Sequence, residues 1–246
     1  MELKMTNSVL LNNIDHQDLK VITERSPTYG DNLWYAQTFP MEFKSIQAYY
    51  PILFNKDPNT GKFFPLALFG FENDENLFLS DNKWTADYIP ATVARQPFLI
   101  GIQTLNEEGI EKKQRMLQID LDNPRVNQTQ GESLFLAHGG STPYLDKVAD
   151  LLEAIHHGIN DSNDFIDALI EHQLLESVTL DITLNDHSKH QMLGFYTINE
   201  DKLNELSSDI LMSLHKKGHL QAIYMTIASQ ANVRKLISKK NEQLGL

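Results

Sequence analysis

The sequence predicts an α+β fold, in which a mixed, mostly antiparallel β part precedes helices around a β-hairpin, and three observations support this prediction. The first half holds short apolar runs separated by turn residues, which is typical of buried strands. The second half changes to apolar stripes at helical spacing. Residues 122–132 between them are polar and have few large apolar side chains. We therefore expect two parts, 1–125 and 126–246, packed as one unit, with residues 122–132 as a linker or an excursion between them.

Prolines and turn residues divide the N-terminal part into short elements. Residues 1–40 read as irregular or weakly extended chain, and Glu42 to Tyr49 reads as a short helix stopped by a proline. Pro51 to Phe54 follows as a buried strand. Leu66 to Phe71 is a second apolar run, which we expect to form a hairpin with Asn76 to Leu79 across an acidic turn.

The next segment is expected to hold one short helix and two strands. Pro90 suits the first turn of a helix over Ala91 to Arg95, because a first turn leaves its backbone N–H groups unpaired anyway. Pro97 then ends this helix. Phe98 to Gln103 and Met116 to Leu121 are strand candidates on either side of a charged turn.

Two helices are expected at the start of the C-terminal part. Thr142 is placed to cap a helix N-terminus, with Pro143 at the first helical position. An apolar stripe runs from Leu145 to Ile155, and Gly158 suits the left-handed residue that ends many helices. A second helix is expected to begin at residue 161 or 162.

The remaining chain is expected to contain a hairpin and further helices. Val178 to Leu184 alternates between apolar and polar residues and should pair with Met192 to Ile198. Asn199 is suited to cap the helix that follows. The run from Leu220 to Ala228 fits a strand or a helix; we favour a strand, with Ser229 capping a final helix.

Composition excludes several classes of function. The 246 residues are 41% apolar and 22% charged, contain no cysteine and carry a net charge of −12. Disulfides, thiol nucleophiles and iron–sulfur clusters are thereby excluded. The negative charge repels phosphate backbones, so nucleic-acid binding is not expected. No run approaches the length of about 18 apolar residues that a membrane span requires.

The N-terminus lacks a basic stretch leading into an apolar one, so a cleaved signal peptide is not expected. We expect a cytoplasmic protein, and export by a route without a cleaved signal stays open.

The chain resembles the bacterial SapC family over about residues 10–240. The resemblance rests on the order and spacing of aromatic and proline blocks. The main blocks are MEF at 41–43, YPILF at 50–54, ALFG at 67–70, ENLF at 75–78, Trp84 with YIPA at 88–91, RQPF at 95–98, STPYL at 141–145 and GFYTI at 194–198. The peptide-transporter permease of the same name is a different protein, which spans the membrane.

This resemblance implies an accessory or binding protein, associated by family name with bacterial surface-layer or uptake systems. It also implies a protein partner. Family members look like frequent companions of cupin-like and flavin-dependent halogenase-like proteins, so the alternative is a metal- or cofactor-dependent oxidative enzyme. No cofactor can be named from the sequence, and none is expected.

Glu42, Trp84 and Arg95 form the most interesting candidate set, because all three lie in the aromatic-rich segment 41–98. Arg95 could hold Glu42 in a bidentate ion pair, or both could face a ligand flanked by Trp84. We favour the first interpretation, a framework ion pair beneath an aromatic cluster.

Two further candidate sites rest on short motifs. Gly139, Gly140, Ser141 and Thr142 lead into a helix N-terminus, where backbone N–H groups can hold an anion, although such glycines more often only permit a turn. The second motif has the spacing of a non-haem iron site, two histidines and a carboxylate. Its residues are His16, Asp18 and, more distantly, His138.

Overall fold

The computed structural model describes residues 7–107 and 110–246, and within these it describes the backbone alone for 103–107 and 110–113. Helix accounts for 35% and strand for 26%, which confirms the α+β prediction. The strands are β1 (Ser8–Leu10), β2 (Lys20–Val21), β3 (Tyr35–Gln37), β4 (Ile52–Lys56), β5 (Phe63–Leu68), β6 (Leu79–Ser80), β7 (Lys83–Trp84), β8 (Phe98–Glu107), β9 (Ile110–Asp120), β10 (Val126–Asn127), β11 (Glu132–Ser133), β12 (Leu175–Thr183) and β13 (Lys189–Ile198).

The helices differ greatly in length. They are α1 (Phe43–Ile46), α2 (Ala91–Ala94), α3 (Pro143–Glu171), α4 (Glu200–Asn204), α5 (Ser208–Lys216), α6 (His219–Ser229) and α7 (Asn232–Leu244), with 3₁₀ turns at Pro27–Tyr29 and Pro40–Glu42. None of the helices in the described part of the chain combines the length and apolar character that crossing a membrane would need.

A five-stranded antiparallel sheet in the order β12-β13-β4-β5-β3 carries the main core. The aromatic residues of the segment 41–98 other than Phe98 belong to this core or pack against it. Phe43, Phe54 and Phe69 have no solvent exposure, and Phe165 of α3 packs edge-on against Phe43, with ring centroids 6.0 Å apart. The hairpin predicted at 178–198 is confirmed as β12 and β13.

The hairpin predicted between Leu66–Phe71 and Asn76–Leu79 is wrong. Strand β5 lies between β4 and β3, with Leu68 opposite Tyr35, so no free edge is left for a return strand. The chain turns away after Gly70, and Leu79 begins a separate two-stranded ribbon with β7. Local sequence could not reveal this, because the competing strand comes from residues that read as irregular.

Strands β8 and β9 form a long hairpin to which β1 adds a third strand, in the order β1-β9-β8. This confirms the two predicted strands, and both are longer than expected. Within the described residues β8 pairs only with β9, so its outer edge is unpaired. The hairpin and α3 share a second core, which includes Phe98, Ile119, Leu145 and Leu152.

The two helices predicted around Gly158 are one 29-residue helix, α3. Its start is confirmed: Thr142 Oγ1 accepts a hydrogen bond from Leu145 N, and Pro143 occupies the first turn. Gly158 does not end the helix. An added Cβ there would lie 2.9 Å from Cγ of Phe39, so the glycine lets a buried ring approach the helix backbone.

The strand favoured at Leu220 to Ala228 is wrong, because the segment is helix α6. Its buried residues Ala222, Ile223 and Thr226 recur at helical spacing against the sheet. Ser229 does not cap the last helix; its Oγ accepts a hydrogen bond from Ile52 N at 2.8 Å and so fixes α6 to β4. Asn199 is confirmed as a cap, on a helix that breaks into α4 and α5.

The polar segment 122–132 contains one fully buried side chain, Arg125, which is 1% exposed. Its Nη2 lies 2.5 Å from Oδ2 of Asp31, a residue with no solvent exposure. Its Nη1 also donates to the carbonyl oxygens of Ile22 and Glu24, at 3.0 and 2.7 Å. Arg125 therefore ties this segment to the N-terminal chain.

Candidate functional site

Glu42 is buried in the aromatic framework, the cluster formed by the aromatic residues of the segment 41–98. It sits at the end of a 3₁₀ turn and is 7% exposed. Its Oε1 accepts from Thr38 Oγ1 at 2.7 Å, and its Oε2 accepts from Tyr88 OH at 2.7 Å and from Ala91 N at 3.0 Å. Three donors satisfy this carboxylate, and one of them is the first backbone N–H of α2.

Trp84 belongs to the same network through two tyrosines. Its Nε1 donates to Tyr50 OH at 2.7 Å, and Tyr50 OH donates to the carbonyl oxygen of Tyr88. Burial raises the pKa of Tyr50, which keeps the phenol protonated as a donor. Burial and the charge of Glu42 raise the pKa of Tyr88 in the same way. The aromatic cluster is thus held by neutral hydroxyl groups around one carboxylate.

Arg95 takes no part in this network. Within the described residues no ion pair joins Arg95 to Glu42, so the predicted framework pair is wrong. The reason is geometric: Arg95 follows the end of α2, and its Nη1 donates to the carbonyl oxygen of Phe98 at 2.6 Å. Burial lowers the pKa of Arg95, and no acidic side chain among the described residues compensates its charge.

Arg95 lines a groove of about 300 Å³ between the β8–β9 hairpin and α3. The floor is apolar and includes Ile100, Leu152 and Ile155. Two further apolar side chains are exposed to solvent at the edge of the groove. These are Ile102 and Ile159, which are 68% and 45% exposed.

The rim of the groove is basic. Arg115 lies directly opposite Ile102 in the β8–β9 pairing. Its Nη2 is 2.6 Å from Oε1 of Glu153, and its Nη1 is 3.3 Å from Nε2 of His156. Both members of the Arg115–Glu153 pair are about half exposed, so the pair is weak and can open.

Two backbone donors of the loop predicted as an anion site are used within the protein. Gly139 N donates to the carbonyl oxygen of Leu136, and Thr142 N donates to that of Leu134. Ser141 Oγ donates to Oδ1 of Asp146 at 2.5 Å, which places a carboxylate at the helix N-terminus. Gly140 accepts rather than donates, through its carbonyl oxygen. An anion here would meet the carboxylate of Asp146 and would have to displace these contacts, which argues against the predicted anion site.

The residues predicted as a metal site differ in exposure. His16 is 9% exposed, and its Nδ1 accepts from Asn12 N at 3.2 Å, whereas Asp18 and His138 are exposed. The part of the chain that the structure describes has no group of three or more His, Cys, Asp or Glu side chains placed to hold a metal. Among the residues that the structure describes, these three predicted ligands therefore form no such group.

A second, polar cavity of about 570 Å³ lies where α3, α6 and the chain around Met41 meet. Sequence reasoning missed it, because a strand was favoured where α6 begins. His219, the first residue of α6, lines the cavity and is 9% exposed. Its ring packs edge-on against Phe165, and its Nδ1 is buried without a hydrogen-bond partner in the described chain.

Four charged side chains surround this imidazole in the cavity wall, two of each sign. They are Lys44, Asp161, Asp164 and Lys217. Among the described residues none of the four takes part in an ion pair. Burial lowers the pKa of His219, and the charge of Lys217 lowers it further, while the two aspartates oppose the shift.

The lowered pKa predicts a pH-dependent loss of stability that His219→Gln removes. Between the folded-state pKa and the unfolded value near 6.5, the unfolded chain binds more protons at this site. The free energy of unfolding therefore falls as the pH drops through that window. Urea unfolding at pH 7.5 and 5.5 should show a larger loss in the wild type than in His219→Gln.

The exposed His215→Gln variant controls for the removal of an imidazole as such. An identical pH dependence in the wild type and in His219→Gln would contradict this prediction.

Comparison with known proteins gives one result. The SapC family model matches residues 11–236 of the 246-residue chain. No curated protein and no solved structure matched. The family match extends over the aromatic framework, the groove and the whole polar cavity. The chain belongs to the SapC family.

Proposed function

We propose that this SapC-family protein is a non-catalytic binding protein, which holds an extended apolar segment of a partner protein in the groove between the β8–β9 hairpin and α3. The observation that carries the proposal is Arg95. It is a partly buried cation without an acidic partner in the described chain, and it lines an apolar groove. A carboxylate on the partner segment would supply the missing counter-charge.

Basic side chains also collect at this groove. The chain carries a net charge of −12, yet Arg95, Arg115 and His156 all line this one depression. A segment with apolar side chains and a carboxylate matches both the floor and the rim. The weak Arg115–Glu153 pair leaves a second guanidinium free to exchange partners.

The unpaired edge of β8 explains why the occupant should be a peptide. Within the described residues this strand pairs on one side only. An extended segment can add to such an edge through backbone hydrogen bonds, with alternate side chains entering adjacent pockets. A fatty acid would match the apolar floor and the guanidinium but would leave the strand edge unused.

The framework supports binding rather than turnover. The carboxylate of Glu42 and the hydroxyl groups of Tyr50 and Tyr88 are occupied by one another and by backbone groups. Such a network fixes α2, and α2 carries the chain into Arg95 and β8. A rigid groove loses less conformational freedom on binding than a mobile one. Association with a bacterial surface-layer or uptake system would then operate through the bound partner.

Site-specific photo-crosslinking tests this proposal. A benzophenone amino acid at position 102 should crosslink one partner segment in producing cells, because this side chain overhangs the groove. Leu193 is the matched control position, since it lies in strand β13 and is 67% exposed, against 68% for Ile102. Mass spectrometry of the crosslinked peptide should identify an apolar segment that contains an acidic residue.

A synthetic copy of that segment then allows quantitative binding measurements. Arg95→Met and Ile159→Asp should each weaken binding about tenfold or more. The first removes the counter-charge for the carboxylate, and the second removes an apolar contact. The matched controls are Arg234→Met, at an exposed arginine of α7, and Ile170→Asp, at a half-exposed isoleucine on α3. Equal crosslinking at positions 102 and 193, or equal loss of binding in variants and controls, would overturn the proposal.

A further inference from the structure

We propose that the polar cavity at the start of α6 is a binding site for a small zwitterion with one carboxylate and one ammonium group, of the α-amino-acid type. This site is separate from the partner groove and does not depend on it. The cavity of about 570 Å³ falls in the size range of small-molecule sites. Both charge signs in its wall lack ion-pair partners in the described chain, and one imidazole lacks a hydrogen-bond partner.

The carboxylate side of the site is built from α6 and α1. The N-terminus of α6 opens onto the cavity at Gly218 and His219, and no side chain caps it. Its first backbone N–H groups and its dipole favour a negative group. Lys217 and Lys44 line the same cavity and add positive charge. A carboxylate can meet all of these donors at once.

His219 is a second indication of a ligand, besides the helix N-terminus. Its side chain lines the cavity and is nine-tenths buried, and Phe165 holds the ring edge-on at 5.6 Å between centroids. Because Nδ1 is the covered nitrogen, Nε2 is the one that a ligand can reach. A neutral imidazole with an unpaired buried Nδ1 keeps its proton on Nε2, where it donates to a ligand oxygen.

The ammonium side of the site is built from α3. Asp161 and Asp164 lie one turn apart and both line the cavity. Neither forms an ion pair with another described residue, although two lysines line the same space. An inorganic anion would be repelled by the aspartates, and a metal cation by the lysines. A molecule with both charges satisfies the two sides together.

The remaining wall is apolar except for Gln221. It consists of Pro40, Met41, Gln221, Ala222 and Met225. Methionine side chains adapt to ligands of different shape, so they suit the variable part of an amino acid. We therefore expect a preference for an amino acid with an apolar side chain.

Isothermal titration calorimetry with the twenty L-α-amino acids, one at a time, tests the proposal. At least one apolar amino acid should bind at micromolar to low millimolar concentration. Its decarboxylated amine and its deaminated acid, each lacking one charge, should bind at least tenfold more weakly. Inorganic phosphate should not compete. Absence of binding by all twenty, equal binding by either analogue, or tighter binding by phosphate would overturn the proposal.

Matched surface variants place the binding in this cavity. Asp164→Asn and Lys217→Met should each weaken binding at least tenfold. Asp167→Asn and Lys216→Met remove the same charges from exposed neighbours that do not line the cavity, and should bind as the wild type does. All four positions are exposed, so the fold is retained. Equal losses in variants and controls would refute the site.

Discussion

Replacing Arg125 with Met should lower the free energy of unfolding by about 3–5 kcal/mol, because removing one member of a buried ion pair leaves the other charge uncompensated. Asp31 has no solvent exposure, and its Oδ2 lies 2.5 Å from Nη2 of Arg125. Arg25 also contacts Asp31, at 3.2 Å, and can compensate only part of the loss. Urea unfolding followed by circular dichroism measures the effect.

An exposed ion pair provides the control. Lys202 and Glu205 are 2.7 Å apart, with side chains 48% and 66% exposed. Lys202→Met should therefore have little effect on the free energy of unfolding. Combining Arg125→Met with Asp31→Asn should cost less than the sum of the single changes, because both remove the same interaction. A cost for Arg125→Met no larger than that of Lys202→Met would show that the buried pair does not stabilise the fold.

Replacing Glu42 with Ala should lower the free energy of unfolding by about 2–4 kcal/mol. The change removes a buried acceptor and leaves its hydrogen-bond donors without a partner. Thr38 is fully buried, and its hydroxyl group has Glu42 as its acceptor at 2.7 Å. Tyr88 OH and Ala91 N lose the same partner. Chemical unfolding of the purified variant measures this loss.

The control for Glu42 is an exposed glutamate. Glu176 lies on the exposed face of β12, and its replacement by Ala should change the free energy of unfolding by less than about 0.5 kcal/mol. If Glu42→Ala were as mild as Glu176→Ala, the carboxylate would be held in the fold for a ligand rather than for stability. That result would reopen the interpretation of Glu42 and Trp84 as a ligand site.

Some elements are determined by interactions within a few residues, and these elements were predicted correctly from the sequence. Thr142 and Pro143 mark the start of α3, because a cap and a first-turn proline act within a few residues. The alternation in the segment 178–198 gave the β12–β13 hairpin for a similar reason. The short helix after Pro90 was predicted for the same reason, although Pro90 is its N-cap and not its first helical residue.

Contacts between distant segments decided the elements that the sequence mispredicted. Gly158 reads as a helix end, but its function is set by Phe39, more than a hundred positions earlier in the chain. Leu220 to Ala228 is apolar enough for a strand or a helix, and packing against the sheet decides for the helix. The return strand expected at Asn76 was displaced by β3, which carried no strong strand pattern of its own.

Local interactions and contacts between distant segments also decided different parts of the candidate site. Glu42, Trp84 and Arg95 were grouped because they flank the same aromatic segment, and two of them do share one network. Arg95 lies beyond the end of α2 and lines the groove instead. His219 carried no signal of its own, since its environment comes from α3 and from the chain near Lys44. The residues were visible in the sequence, but the direction of their side chains was not.

Amide hydrogen exchange with and without the crosslinked partner segment tests the proposed function most directly. We predict that the segment slows exchange at residues 98–102 of β8 and at 152–159 of α3. Exchange around Glu42 and Tyr50 should be slow in both states, because that framework is complete without a partner. Protection confined to the outer edge of β12 or to the polar cavity at His219, with β8 unchanged, would contradict the assignment of the groove.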